Sequence, residues 1–187
     1  MLDIIKPKNI VVARFDEAAE NKLNNLRTQL FDAGCMKEIS PYPPHITIAA
    51  YEGVELDTLL QWTDEFTKKY AALEILMSSL GVLPPGGEHT ETAVLFASPS
   101  PSKALIDFYY AFHENLDEFC GNIGWMYSAK SIHPYAIHST IGIFEIAKLQ
   151  KAMKIIFEHQ IFEMAKIIAL EVYARPIELI KRFDLDA

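Results

Sequence analysis

Two short segments of the chain combine a histidine with a threonine two residues later. They read PPHITIAAY at residues 43–51 and YAIHSTIGIF at residues 135–144, so His45 and His138 lie 93 positions apart. Histidine changes protonation state near neutral pH, and a threonine hydroxyl can donate a hydrogen bond to a phosphate oxygen. These residue types suit acid–base catalysis at a phosphodiester, where one oxygen loses a proton while another gains one.

Both segments have the composition of β-strands, in which alternate side chains share a face. This places His45 beside Thr47 and His138 beside Thr140. Counted from the histidine, the fifth residue of each copy is small and the seventh is aromatic, and both are predicted to lie on the same face as the histidine. The small residue would leave a hollow for a ligand and the aromatic ring would line it; these residues are Ala49 and Tyr51 in the first copy, and Gly142 and Phe144 in the second. The isoleucines are predicted to face the helices.

Each motif taken alone also has a purely structural interpretation. A histidine beside a threonine in a strand is more often a hydrogen-bonded structural pair than a catalytic one. A metal site needs three or four converging ligands, and the sequence contains no His-x-His, no His-Glu-x-x-His and no closely spaced cysteine pair. The repetition of the motif favours the catalytic interpretation, with no metal and no cofactor.

The elements around the two motifs follow one plan. In each half the pattern predicts a strand, a helix, the motif strand, a second helix and a further strand. Asp16 is expected to cap the first helix and Gly34 to end it, while Ser100 is expected to cap the corresponding helix of the second half. The predicted strands lie at residues 9–15, 45–51, 73–83, 92–98, 138–144, 165–174 and 177–185.

The shared plan indicates an internal duplication. The 93-residue offset that aligns His45 with His138 also aligns residues 71–77 with 164–170 without a gap. We therefore predict an α+β fold with two pseudo-symmetric lobes, whose antiparallel sheets line a central cleft and whose helices lie outside. The whole chain, 1–187, is read as one bilobal domain, with lobes at about 1–84 and 90–187 and with room for strand exchange between them.

Composition restricts the function. The 187 residues include 17 basic and 25 acidic ones, a net charge of −8, which disfavours a grip on extended nucleic acid. The N-terminus, with Asp3 and Pro7, does not resemble a signal peptide, and no apolar stretch is long enough to span a membrane. Cys35 and Cys120 form no disulfide framework. We expect a soluble, cytoplasmic protein whose ligand is compact.

The loop that leads into the second motif carries the remaining candidates. Residues 121–137 contain two side chains that we expect to contact substrate: Tyr135 to stack on a base, and Lys130 to meet a phosphate. Packing of the loop explains the aromatic residues equally well. Arg14, on the first strand, is a weaker candidate for a phosphate ligand.

HITI at 45–48 and HSTI at 138–141 resemble the 2H phosphoesterase superfamily, which is named for two His-x-Thr/Ser motifs and includes 2'-5' RNA ligase-like proteins and cyclic nucleotide phosphodiesterases. The resemblance spans nearly the full chain. It implies a bilobal fold and metal-independent chemistry at cyclic phosphates or 2'-5' linkages. It further implies that His45 and His138 are the general acid and base and that Thr47 and Thr140 bind the phosphate.

The sequence therefore predicts a phosphoesterase that acts on a cyclic phosphate or a 2'-5' phosphodiester of a small nucleotide or RNA end. The alternative is a nucleotide-binding module that uses the same cleft without chemistry, and a weaker one is a domain whose repeated strands serve stability alone. The substrate, the direction of reaction, the assignment of acid and base and the oligomeric state are not predicted.

Overall fold

The computed structural model describes residues 9–50, 53–83, 91–116 and 137–186. Within these ranges, the strands and helices follow one another in the predicted order. The strands are β1 Asn9–Phe15, β2 His45–Ala49, β3 Leu73–Leu83, β4 Thr92–Pro99, β5 Ser139–Glu145, β6 Met164–Ala174 and β7 Glu178–Asp184. The helices are α1 Glu17–Asp32, α2 Leu56–Thr67, α3 Lys103–His113 and α4 Leu149–Glu158, the last preceded by a 3-10 turn at Ile146–Lys148.

The ends of α1 follow from the sequence. The Asp16 carboxylate accepts a hydrogen bond from the Ala19 amide at 3.0 Å and a second from the Lys166 amide of β6 at 2.6 Å, so the cap also fixes the helix to the sheet. Gly34 follows the helix with φ of 68°, a left-handed conformation that favours glycine. Both predictions for this helix are confirmed.

The predicted cap of α3 is wrong by two residues. Ser102, not Ser100, caps the helix, and its hydroxyl accepts from the Leu105 amide at 3.1 Å. Proline at 101 fixes its own φ and disfavours helical backbone at the residue before it, so the helix begins only after the Ser-Pro-Ser segment.

The sheet is antiparallel, and its order mirrors the duplication. The order is β2-β1-β6-β3-β4-β5, with β7 added beside β6. Strand β1 lies between β2 and β6, just as β4 lies between β5 and β3. Each half therefore supplies one strand to the other, and β3 and β6 pair at the centre, where Ile75 lies opposite Ala165. The predicted α+β architecture is confirmed.

A β-bulge occurs at the same position of both motif strands. Val12 pairs with Thr47 and Val11 with Ala49, which leaves Ile48 as an extra residue. In the second half, Phe96 pairs with Thr140 and Leu95 with Gly142, which leaves Ile141 as the extra residue. Ile48 and Ile141 are again 93 positions apart. The duplication thus extends to a backbone irregularity that interrupts the side-chain alternation after each threonine.

The helices cover the outer face of the sheet. Apolar side chains on one face of α3 are buried, as is Leu116 just beyond the helix; those of the helix are Leu105, Phe108, Tyr109 and Phe112. Phe66 of α2 packs edge-on against Phe108 and Phe112 at centroid distances of 5.0 Å. No helix in the described part of the chain has the length and apolarity to cross a membrane.

Candidate active site

The two motifs meet because the sheet curves. Strands β2 and β5 stand at opposite ends of the strand order, yet they contact each other. His45, Thr47, His138 and Thr140 are all partly exposed, whereas the motif isoleucines, Ile46, Ile48 and Ile141, are buried. His138 also contributes to the electrostatic environment of His45. The shared face expected for each His-Thr pair is therefore present in the structure.

His45 is held in one orientation by the segment that precedes it. Its Nδ1 lies 2.7 Å from the carbonyl oxygen of Pro43. A carbonyl only accepts, so Nδ1 carries the proton and the neutral ring has its lone pair on Nε2. Pro43 and Pro44, which fix the backbone just before the strand, place this carbonyl under the ring.

The neutral form of His45 is strongly favoured. Burial, which disfavours the charged ring, lowers its pKa to about 4, and the charges of Arg27, Arg14 and His138 act in the same direction. The hydrogen bond to Pro43 opposes this shift but does not overcome it. At neutral pH the ring is therefore a proton acceptor, not a donor.

Arg14 lies directly across from His45 on β1, but its guanidinium is committed to carboxylates. Glu20 accepts from Nε at 2.8 Å and from Nη2 at 2.7 Å, and Glu171 accepts from Nη1 at 2.6 Å. Glu171 is 2% exposed and also accepts from the Tyr173 hydroxyl at 2.7 Å. Burial, followed by the hydrogen bond to Glu171 and the charge of that carboxylate, raises the pKa of Tyr173. With these donors engaged, Arg14 is better explained as support for the sheet beneath His45 than as a phosphate ligand.

On the other side of the cleft, His138 packs against an aromatic ring. The ring centroids of His138 and Phe96 are 4.6 Å apart, at an interplanar angle of 44°. Phe96 in turn covers Gly81 of the neighbouring strand, where a Cβ atom would lie 2.1 Å from the Phe96 Cζ. Because Gly81 has no side chain, the Phe96 ring has room at this position, and that ring packs against His138.

A cavity of about 610 Å³ opens beside Thr140, a size typical of small-molecule sites. Its walls come from the segment after α1, from β5 and from the turn between β6 and β7. They include the exposed Ile143 and Ile177, two cations, Lys37 and Arg175, and two carboxylates, Glu38 and Glu145. These charges cancel, so the cavity suits an uncharged organic group rather than a second phosphate.

Tyr42 connects this cavity to His45. Its ring lies 5.7 Å from the His45 ring and 5.4 Å from Tyr173, in edge-on geometry. Its hydroxyl donates to the carbonyl oxygen of Pro176. Burial raises the pKa of this hydroxyl. Sequence reasoning missed Tyr42, because its position two residues before Pro44 reads only as part of a turn.

Phe144 does not wall the cleft. Its side chain has no exposed surface, because the bulge at Ile141 shifts the alternation by one residue and turns Gly142 and Phe144 towards the core. Gly142 lies against Met36, where an added Cβ would come within 2.7 Å of the methionine methyl group. Ile143 occupies the cleft side instead, with 57% of its surface exposed. Three other predicted contacts, Tyr51, Lys130 and Tyr135, lie outside the described residues.

Arg27 is the second residue that sequence reasoning missed. It lies on α1 within the helix face that also carries Leu23 and Leu30, and it is 2% exposed. Its side chain binds main-chain carbonyls on both sides of the cleft. The signal available in the sequence is a charge four residues after a buried leucine, on the apolar side of an amphipathic helix. Among the described residues, no group of three or more His, Cys, Asp or Glu converges in a way that could hold a metal ion.

Comparison with known proteins supports the fold. No protein-family profile and no curated protein matches the sequence. Several solved structures do match, among them TT0787 of Thermus thermophilus, with a TM-score of 0.60, 12% identity and coverage of 95% of this chain and 97% of that one. E. coli LigT complexed with NADP+ matches with a TM-score of 0.56, 12% identity and coverage of 97% and 99%.

A third match extends the same fold to a eukaryotic protein. Kluyveromyces marxianus Usb1 with uridine monophosphate has a TM-score of 0.50, 10% identity and coverage of 96% and 98%. TT0787, LigT and Usb1 are all 2H phosphoesterase superfamily members. The chain therefore has the 2H phosphoesterase fold over nearly its whole length, and the resemblance stated from the two motifs is confirmed at the level of the fold.

Proposed function

We propose that this protein is a metal-independent phosphoesterase acting on a cyclic phosphate or a 2'-5' phosphodiester of a small nucleotide or RNA end. The observation that supports the proposal is the contact between β2 and β5, the end strands of the sheet, because each His-Thr motif lies at one of these two strands. Two imidazoles and two hydroxyls around one anion match the needs of an in-line displacement.

The roles of the two histidines follow from the environment of His45. Its ring is neutral, with the Nε2 lone pair free of the Pro43 bond, so we assign it as the general base. In hydrolysis of a 2',3'-cyclic phosphate, Nε2 takes a proton from the attacking water as the new P–O bond forms. His138 then protonates the ribose oxygen as the ring P–O bond breaks. An anionic phosphate in the cleft raises the pKa of His45 and strengthens it as a base.

The threonines have a separate task. Thr47 and Thr140 lie beside the two histidines, one on each strand, and we assign their hydroxyls to the non-bridging phosphate oxygens. A hydrogen bond of this kind strengthens as negative charge accumulates in the transition state. The neighbouring cavity accepts the uncharged part of the substrate, such as a nucleoside.

The ligands of similar structures are consistent with a small nucleotide. LigT has been solved with NADP+ and with 3'-AMP, and Usb1 with uridine monophosphate. For this chain, the net charge of −8 favours such a compact ligand over extended nucleic acid.

Turnover of 2',3'-cyclic nucleotides in the presence of a chelator tests the proposal. His45→Ala and His138→Ala should each lower kcat by about 10²–10⁴-fold. His159→Ala is the matched control, because that ring bonds Gln29 at the surface and lies on a helix end away from the motifs. Unchanged activity in both motif variants would contradict the mechanism.

A second function is favoured by one observation. A histidine with a pKa of about 4 is a weak base at neutral pH, as expected of a cleft that binds a nucleotide without reacting with it. This alternative predicts saturable binding of AMP by calorimetry, with no product from any cyclic phosphate or 2'-5' dinucleotide after long incubation.

A further inference from the structure

Arg27 bridges the two sides of the candidate active site. Its Nη1 donates to the carbonyl oxygen of Tyr42 at 3.0 Å, and its Nη2 donates to the carbonyl oxygen of Thr140 at 2.6 Å. Tyr42 lies three residues before His45, and Thr140 is the threonine of the second motif. A single helical side chain thus joins the segment that orients one histidine to the strand that carries the opposite pair.

The bulge in β5 lies next to one of these bonds. Ile141 is the extra residue of that bulge, and the regular ladder is interrupted there. The Thr140 carbonyl immediately before it accepts from Arg27. The backbone irregularity and the buried arginine therefore belong to one local arrangement.

Arg27 is an energetically unfavourable side chain at this position. Its side chain is almost fully buried, and burial lowers its pKa to about 10. Within the described ranges, its hydrogen bonds go only to carbonyl oxygens, and its Nε has no hydrogen-bond partner. A buried cation without a bound carboxylate is costly, and an apolar side chain would fill the same helix face at less cost. Stability alone does not explain its presence.

The shape of the guanidinium group explains why an arginine occupies this position. A guanidinium is a rigid planar fork whose two terminal nitrogens point in fixed directions, so it can hold two carbonyls at a set separation. A lysine would bring the same charge but only a single nitrogen. We propose that Arg27 is a positioning residue that sets the spacing between the two motifs, holding the His45 segment and the Thr140 strand in register for catalysis. The kinetic part of this proposal rests on the proposed function.

The charge of Arg27 has a second effect. Among the described residues, the charged and titratable groups that face His45 are Arg27 from α1, Arg14 from β1, His138 just before β5, and Tyr42, whose ring packs edge-on against it. Arg14 is neutralised in part by Glu20 and Glu171. Removing the Arg27 charge leaves the others in place and makes protonation of His45 easier. Replacing Arg27 with an apolar side chain should therefore change both the spacing between the two motifs and the pH at which activity falls on the acid side of the profile.

Two substitutions separate shape from charge. Arg27→Met keeps length and loses both bonds and the charge, whereas Arg27→Lys keeps the charge and loses the fork. Lys22→Met, on the same helix, is the matched control, since it removes a cation whose partner, Glu163, lies away from the motifs. Each protein is first tested for a cooperative thermal transition, and kcat, KM and the pH profile are then measured with a 2',3'-cyclic nucleotide.

We expect Arg27→Met to lower kcat by on the order of 10²-fold. Its KM should stay within about threefold of the wild-type value, because the phosphate contacts of the ground state remain. The acid limb of its pH–activity profile should move to higher pH. Arg27→Lys should also lose kcat but keep the wild-type acid limb, and Lys22→Met should match the wild type in both. Wild-type kcat in folded Arg27→Lys would overturn the proposal. If Arg27→Met does not fold, the kcat of Arg27→Lys alone tests the proposal.

A measurement without turnover separates this proposal from the proposed function. In the Arg27→Met protein, NMR titration should show protonation of His45 at higher pH than in the wild type, together with a shift of the Thr140 amide resonance. If the wild type turns over no cyclic phosphate but these shifts appear, the proposed function fails and the structural role of Arg27 stands. If the protein is active and neither shift nor kcat changes, Arg27 has no positioning role.

Discussion

The depressed pKa of His45 predicts how the stability of the fold depends on pH. In the unfolded chain a histidine has a pKa of about 6.5, whereas the folded protein lowers that of His45 to about 4. Between these values the unfolded state binds the proton and the folded state does not, so acid favours unfolding. Stability is highest above about pH 6.5, where His45 is neutral in both states, and falls as the pH drops towards 4.

The size of the effect follows from the same two values. The difference between these two pKa values corresponds to about 3 kcal/mol of unfolding free energy, of which about 2 kcal/mol is lost between about pH 7.5 and pH 5. This is a large share of the 5–15 kcal/mol that roughly spans the stability of most domains. Burial is the main cause, so the loss should change little with salt, since buried charges are screened weakly.

Urea denaturation of the wild type and of His45→Gln at several pH values measures this effect. Other titrating groups contribute to both proteins and cancel in the difference. The wild type should lose about 2 kcal/mol more than His45→Gln between about pH 7.5 and pH 5. Parallel curves for the wild type and His45→Gln would refute the assignment of His45 as a histidine held neutral by the fold.

Substitutions at three further positions test other parts of the site. Thr140→Val should lower kcat by about 10²–10³-fold, while Thr140→Ser, which keeps the hydroxyl, should retain most activity. Glu171→Gln should cost about 3 kcal/mol in urea denaturation, because Arg14 loses the more deeply buried of its two carboxylate partners. Gly81→Ala should cost about 1–3 kcal/mol and lower kcat, since its Cβ would displace the Phe96 ring that supports His138.

Each of these substitutions has a result that would count against it. Equal activity in the valine and serine variants would remove Thr140 from phosphate binding. A Glu171→Gln protein as stable as the wild type would mean that Arg14 is satisfied by Glu20 alone. For Gly81, a folded Gly81→Ala protein with the kcat of the wild type would show that activity does not depend on the packing of Phe96 against His138.

Much of the architecture could be predicted from local patterns. The cap at Asp16, the glycine at 34 and the two motif strands each depend on residues close in sequence. The 93-residue register predicted a symmetric arrangement, and the mirrored strand order agrees with it. The pairing of each histidine with its threonine needed only the two-residue period of a strand.

The parts that failed depend on tertiary contacts. The composition of the motif strands does not indicate the bulges at Ile48 and Ile141. Strict alternation therefore predicted that Phe144 lines the cleft, whereas its side chain is buried. The role of Arg27 depends on two carbonyls that are distant along the chain, and a helix pattern gives no information about them. Residues of this kind emerge only when burial is compared with hydrogen bonding.

A crystal structure with orthovanadate, which mimics phosphate in an in-line displacement, tests the central claim most directly. We predict one anion bound by both motifs, with its oxygens within about 3 Å of Nε2 of His45, of the His138 ring and of the Thr47 and Thr140 hydroxyls. An anion held by one motif alone, or bound elsewhere while the two imidazoles remain apart, would contradict this prediction.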